Sequence, residues 1–282
     1  MGGPATKAEL TNTGFVHGHL TNSGIWRHPG AQLPAIVPGN AVVVGLRVDD
    51  VAAFAHAQGS SLPLEGSALS GLRKVVISQH GDAVEISGVE RRSWACGISP
   101  QTLTDPELLS ALKAWDLWDS RPRSSENGSA VVQPVVNIAR QMVQLVGADL
   151  AASYVLELER QYWQSRNTTA VLQHSRQNRL GLGWGNNDHH TFRSSRPAFK
   201  ALIEVFNTLG FASRERFYAG DQAGWGAQVL DHPGCGGVLF CDVDLKPEEV
   251  NIDFAHSQLA EGEKLGTIGL WCALHGESIL SA

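Results

Sequence analysis

Asn187-Asp-His-His-Thr-Phe-Arg-Ser194 opens the stretch whose reading decides the fold. The eight residues read as a strand. Arg196–Leu209 follows, with Phe199, Leu202, Ile203 and Phe206 three or four apart. That spacing predicts a helix with one apolar face, closed by Gly210. Arg214–Tyr218, Trp225–Leu230 and Gly237–Val243 then alternate or run apolar between Gly-rich turns, as short strands do. The order is β-α-β-β-β. On the first of these strands, His189 and Arg193 lie four residues apart and so share a face, while His190 points to the other side.

Downstream, Lys246–Glu261 is a polar connection, partly helical. Thr267–His275 is strongly apolar and is read as a last, buried strand. Alternation would then place Trp271, Ala273, His275 and Glu277 on one face, and Leu270, Cys272 and Leu274 on the other. Asp242 and Asp244 alternate on the preceding strand and are read as turn or edge residues.

Upstream, Gly183 and Gly185 flank Trp184. The run lacks the spacing of a dinucleotide fingerprint and stands before a strand, so it reads as a turn or a flexible entry to a site. The middle of the chain is helical. Thr104-Asp-Pro-Glu107 starts a helix through Leu117, and Pro134–Val146 and Ala148–Gln164 are two more, after a polar break at Arg121–Gly128. Ahead of these, Ala41–Val48 reads as a strand, Val51–Ala57 as a helix, and Leu72–Gln79 and Ala83–Val89 as strands. This first third thus reads β-α-β-β and echoes the last third, a degenerate internal repeat. The reading is an α+β fold of curved mixed sheets with a helical insertion: residues 1–100 form a β-rich module, 101–182 the helical insertion and 183–282 the second module.

Composition narrows the function. With 43% hydrophobic residues in 282, a packed core rather than disorder is expected. No apolar run reaches the roughly 18–20 residues of a spanning helix, so no membrane partner is expected. Met1–Leu20 lacks a secretory signal, which points to the cytoplasm. The net charge of −6 gives no reason to expect nucleic acid as a partner. Cys96, Cys235, Cys241 and Cys272 form no C-x-x-C pair, so a zinc knuckle is excluded and free thiols are expected.

An Asp-His pair opening a strand, followed by a helix ending Leu209-Gly-Phe211 and a strand beginning Arg214-Glu-Arg-Phe217, resembles the vicinal oxygen chelate superfamily. Within it, Asp188-His189-x-x-Phe192-Arg193 resembles the 2-oxoadipate dioxygenase/decarboxylase family, over about residues 187–249. The resemblance implies β-α-β-β-β modules that form a cupped sheet around one divalent metal, usually Fe(II), bound by two His and one Glu. It implies a small carboxylic acid, in particular a 2-oxo acid, as substrate and O2 as co-substrate, with oxidative decarboxylation or hydroxylation as the reaction. Members often pair, so a homodimer is an expectation too.

Carried onto this chain, the resemblance makes His189 a metal ligand and Arg193 the anchor of a substrate carboxylate; Trp184, from its place in the Gly-rich run, is the second substrate-binding candidate. The remaining ligands are expected at Glu277, on the last strand, and at His19, in His17-Gly-His19. His17, His256 and His275 compete for the second histidine, and Glu85 for the carboxylate. Physically, two neutral imidazoles and a carboxylate leave Fe(II) a net charge of about +1 and open positions. An arginine meets a carboxylate with two parallel hydrogen bonds. The same ligands suit Zn(II), so an isomerase or lyase using another metal is the second reading, and a metal-free metabolite-binding protein the third.

Overall fold

The structure is a computed structural model that describes residues 7–18, 24–31, 34–37, 42–59, 61, 63–80, 84–123, 132–185 and 189–280. The chain is α+β and divides into two compact units. The first comprises residues 1–108 and 163–187; the second, 109–162 and 188–282. No helix among the described residues is long and apolar enough to cross a membrane.

The first unit is built on β3 (Val42–Arg47), α2 (Val51–Ala57), β4 (Leu72–His80) and β5 (Val84–Arg91). Its sheet order is β3-β5-β4, with β3 parallel and β4 antiparallel to β5. Asp50 starts α2 by accepting from the Ala52 and Ala53 N–H groups at 2.6 and 3.3 Å, which supplies acceptors for two otherwise orphaned donors. Val48, Val51, Phe54, Ala55 and Val75 bury the contact between helix and sheet. Gly88 makes that contact close, because a Cβ there would stand 2.4 Å from the Phe54 ring. Glu90, buried, accepts from the Val51 N–H at 3.2 Å and pairs with Arg73 and Arg92. The acid thus sits at the positive end of α2.

Smaller elements complete this unit. α1 (Lys7–Asn12) and the short pair β1 (Val16–His17) and β2 (Trp26–Arg27) close over Leu10, Phe15 and Trp26. α5 (Thr168–Asn178) is capped by Asn167, whose Oδ1 accepts from the Ala170 N–H.

The second unit carries β6 (His190–Arg193), α6 (Phe199–Thr208), β7 (Ala212–Tyr218), β8 (Trp225–Asp231) and β9 (Val238–Asp244). Sheet order is β6-β9-β8-β7. β6 runs parallel to β9 and the rest are antiparallel. The predicted apolar face of α6 is the one that packs: Phe199, Leu202, Ile203 and Phe206 are all buried. α3 (Asp105–Asp119) and α4 (Val132–Ser165) lead from one unit to the other and back. α4 breaks at Gly147, where φ is +79° and ψ 165°, between the two predicted helices. Its second half supplies Glu159, buried beside Trp118 and Arg121.

One element is corrected. Thr267–His275 is an α-helix, α7, and not a strand. An unbroken apolar run carries no period to separate the two, and the signal that starts this helix is remote. Asp244 on β9 accepts from the Ile268 and Gly269 N–H groups at 2.9 and 2.7 Å. Gly266 and Gly269 make room for it, since a Cβ on either would lie 2.5 and 2.8 Å from that carboxylate. Helical spacing buries Ile268 and Cys272 and exposes Leu270 and Leu274, so the two-faced alternation expected of a strand does not apply.

Candidate functional site

The register of the second sheet sorts its side chains. Phe192 pairs with Cys241 and faces α6, its ring 4.8 Å from Phe206. Residues one step along point the other way, so Thr191 and Arg193 on β6 share the face away from α6 with Phe240 and Asp242 on β9. Arg193 and Asp242 stand at the carboxyl ends of the two parallel strands, where open α/β sheets place their ligand sites. His189 lies just ahead of β6, exposed, with its ring edge-on to Phe240 at 5.3 Å.

Arg193 is held but not enclosed. Its Nε is 3.8 Å from Asp242 Oδ2, and its guanidinium carbon lies 4.9 Å from the centre of the Trp271 ring. The side chain keeps 35% of its surface exposed, so part of the guanidinium is open to a ligand. Burial pushes the Asp242 carboxyl up to about 6, against the pull of the Arg193 charge. This acid therefore changes charge near neutrality beside a cation, a combination found at functional sites. Burial, with the Glu277 and Asp244 charges, drives the Cys272 thiol up to about 12, and burial raises Cys241 well above the ordinary thiol range. Neither sulfur is a thiolate at neutral pH.

After α7 the chain returns alongside β6. The Arg193 N–H donates to Ser278 Oγ at 2.9 Å, and the Ser278 N–H to the Arg193 carbonyl at 3.1 Å. Glu277 lands at the end of β6, where Oε2 accepts from Ser194 Oγ at 3.0 Å and from the Ser195 N–H at 2.9 Å. It is therefore close in the chain path to Arg193, through a helix and a turn and not through a terminal strand.

The other expected residues are dispersed. His19 lies outside the described residues, as does Asp188. His17 is edge-on to Trp26 in the first unit, His256 sits on Asp253 at 2.9 Å, and His275 rests on Trp271 at 4.9 Å. Glu85 accepts from Ser87 and Lys74, and these bonds hold its carboxyl below the usual range. Trp184 belongs to the first unit, where Nε1 donates to Gln164 Oε1 at 2.6 Å. Its flanking glycines are packed tightly, since a Cβ on Gly183 or Gly185 would meet Asp49 or Val48 within 2.6 Å. The run is a fixed turn. Among the described residues, no group of three His, Cys, Asp or Glu side chains is arranged to hold a metal ion.

Asp242 and Asp244 are corrected from edge or turn residues to buried members of an interior strand, one facing Arg193 and one capping α7. The signal was two acids two residues apart in an otherwise apolar strand. Comparison with family models, curated proteins and solved structures finds no match for this chain.

Proposed function

We propose that the protein is a mononuclear non-haem Fe(II) oxygenase of the vicinal oxygen chelate kind, acting on a small 2-oxo carboxylic acid. The observation that carries this is the β6-α6-β7-β8-β9 unit with sheet order β6-β9-β8-β7 and with Arg193 on the face away from its helix. The first sheet, wound in the same manner with one strand fewer, supports its reading as a shortened second module.

In this proposal Arg193 receives the substrate carboxylate. Trp271 and Asp242 flank the guanidinium, which narrows the positions from which it would meet that carboxylate. Bound Fe(II) would supply the activation of O2. The described residues bring one imidazole, His189, toward that face and do not complete a metal site by themselves, so no step is derived through iron.

Elemental analysis after anaerobic purification tests the reading. About one iron per chain, lost in His189→Ala while the protein stays folded, is the expected result. Another divalent metal in its place would turn the proposal into a Lewis-acid isomerase or lyase. A second reading, a metal-free carboxylate-binding protein, is favoured by the two hydrogen bonds that already occupy Glu277 Oε2. It predicts no metal but unimpaired binding of a 2-oxo acid. In both readings Arg193→Lys weakens that binding roughly 10- to 100-fold, the scale of a charge-assisted pair, and leaves metal content unchanged.

A further inference from the structure

The turn between β8 and β9 is built around a buried imidazole. His232 follows Asp231, the last residue of β8, and keeps 4% of its surface exposed. Its Nδ1 accepts from the Gly234 and Cys235 N–H groups at 3.1 and 3.2 Å. Its Nε2 lies 3.1 Å from the carbonyl of Leu209, the residue that ends α6. The main chain closes the same turn. The His232 N–H donates to the Gly237 carbonyl at 3.0 Å, and the Gly236 N–H to the His232 carbonyl at 2.7 Å. Gly210 leaves room for the ring, since a Cβ there would stand 2.8 Å from Nε2.

These partners admit one protonation state. A carbonyl only accepts, so Nε2 carries the hydrogen and donates it to Leu209. A backbone N–H only donates, so Nδ1 is bare and receives two of them. A proton on Nδ1 would point at both N–H groups and leave three buried donors without an acceptor. We propose that His232 is an acid-operated latch: neutral, it holds the β8–β9 turn shut on the end of α6, and protonated, it releases that turn while the strands stay paired.

The charged groups facing the ring are Asp149 of α4 and Asp231 of β8, and both favour the imidazolium. The Phe211 ring stands edge-on at 5.1 Å, and the Cys235 thiol is buried in the turn itself. Burial outweighs the two acids and holds the imidazole below its ordinary value of 6.5. In the open turn the ring meets water and regains that value. The sign follows: the closed turn is fully favoured above about pH 6.5 and loses ground as the pH falls below it. One proton is taken up on opening, so the open fraction grows by at most about tenfold per pH unit.

The latch lies within the second unit and does not rest on the oxygenase reading. Two measurements on the full-length protein test it. Nitrogen-15 NMR of the His232 ring should show the Nε2–H tautomer at pH 7.5 and a midpoint below 6.5. Labelling of Cys235 by 4,4′-dithiodipyridine, normalised to a thiol peptide at each pH and read by peptide mass spectrometry, reports the opening. From pH 7.5 to 5 it should rise roughly threefold or more, while Cys241 in β9 stays protected. In His232→Asn the side-chain oxygen can accept from the same two N–H groups but takes up no proton, so labelling should not depend on acid. Circular dichroism establishes that this variant is folded; if it is not, the two wild-type measurements decide. An Nδ1–H tautomer, acid-independent labelling in wild type, or an equal rise in His232→Asn would overturn the latch. So would Cys241 labelling that rises in step with Cys235, because the whole unit would then be opening.

Discussion

The two sheets are wound alike and finished differently. In each, a first strand is followed by a helix, and the last strand of the unit inserts beside the first in parallel, β5 beside β3 and β9 beside β6. In each, an arginine ends the first strand on the face away from the helix, Arg47 in one and Arg193 in the other. On the helix side the packing diverges. The position opposite Leu46 is Gly88, under Phe54, whereas the matching position opposite Phe192 is Cys241. On the side away from the helix the charge diverges. Arg193 has Asp242 directly across from it, whereas Arg47 has Val89 across and Arg91 beyond. One winding thus sets an arginine across from an acid in one unit and an arginine across from a valine in the other. The difference teaches that winding sets where the arginine stands, while single residues on the neighbouring strand set what it can bind.

The largest expected effect sharpens the contrast in buried charge. Each unit seats a glutamate between two arginines, Glu90 with Arg73 and Arg92, and Glu159 with Arg121 and Arg123. The Arg121 side chain is fully buried and Arg73 is not. Glu159→Gln strands the Arg121 charge and should cost about 3–5 kcal/mol in urea unfolding. Glu90→Gln should cost less; equal losses would remove the distinction.

Next comes the acid across from Arg193. Asp242 holds its proton to about pH 6 in the folded protein, against 3.8 as its ordinary value. Between these values the folded state binds a proton that the unfolded state has lost. Wild-type stability should therefore fall as the pH rises from about 4 to above 6, and then level off. Asp242→Asn should be the more stable protein by about 3 kcal/mol at pH 8, with no advantage near pH 4. Melting temperatures at the two pH values measure this, and an advantage that does not change with pH would contradict it.

Gly88→Ala tests the closer helix. Its Cβ meets the Phe54 ring, and about 1–3 kcal/mol is expected from overpacking. An unfolding free energy equal to wild type would mean that α2 moves freely over its sheet. The smallest effect is at the caps. Asp50→Ala should cost about 1 kcal/mol, by loss of the bonds to Ala52 and Ala53. α6 begins at Ala198 with no side-chain cap bond, so this loss falls on the first sheet alone.

Local patterns were legible from the residues. The apolar face of α6, the order of strands in both units and the break at Gly147 follow from spacing, alternation and glycine. Of the expected site, His189 and Arg193 do fall toward one face, because strand alternation is a short-range property. Glu277 reaches the end of β6, but by a route that alternation did not foresee.

What the sequence by itself determined is therefore what a few neighbouring residues decide: the α+β class, α2 with its Asp50 cap, α6, and the parity of Arg193 on its strand. The tertiary structure decided the rest. Thr267–His275 became a helix because Asp244, more than twenty residues earlier, offers its carboxylate to the first turn. Asp242 became a buried acid because β9 was inserted between β6 and β8, and Arg27 met Arg91 because both found Trp94. In each case the deciding energy is an electrostatic or packing contact between residues distant in the chain. Such a contact leaves no period or cap in the local sequence to be read.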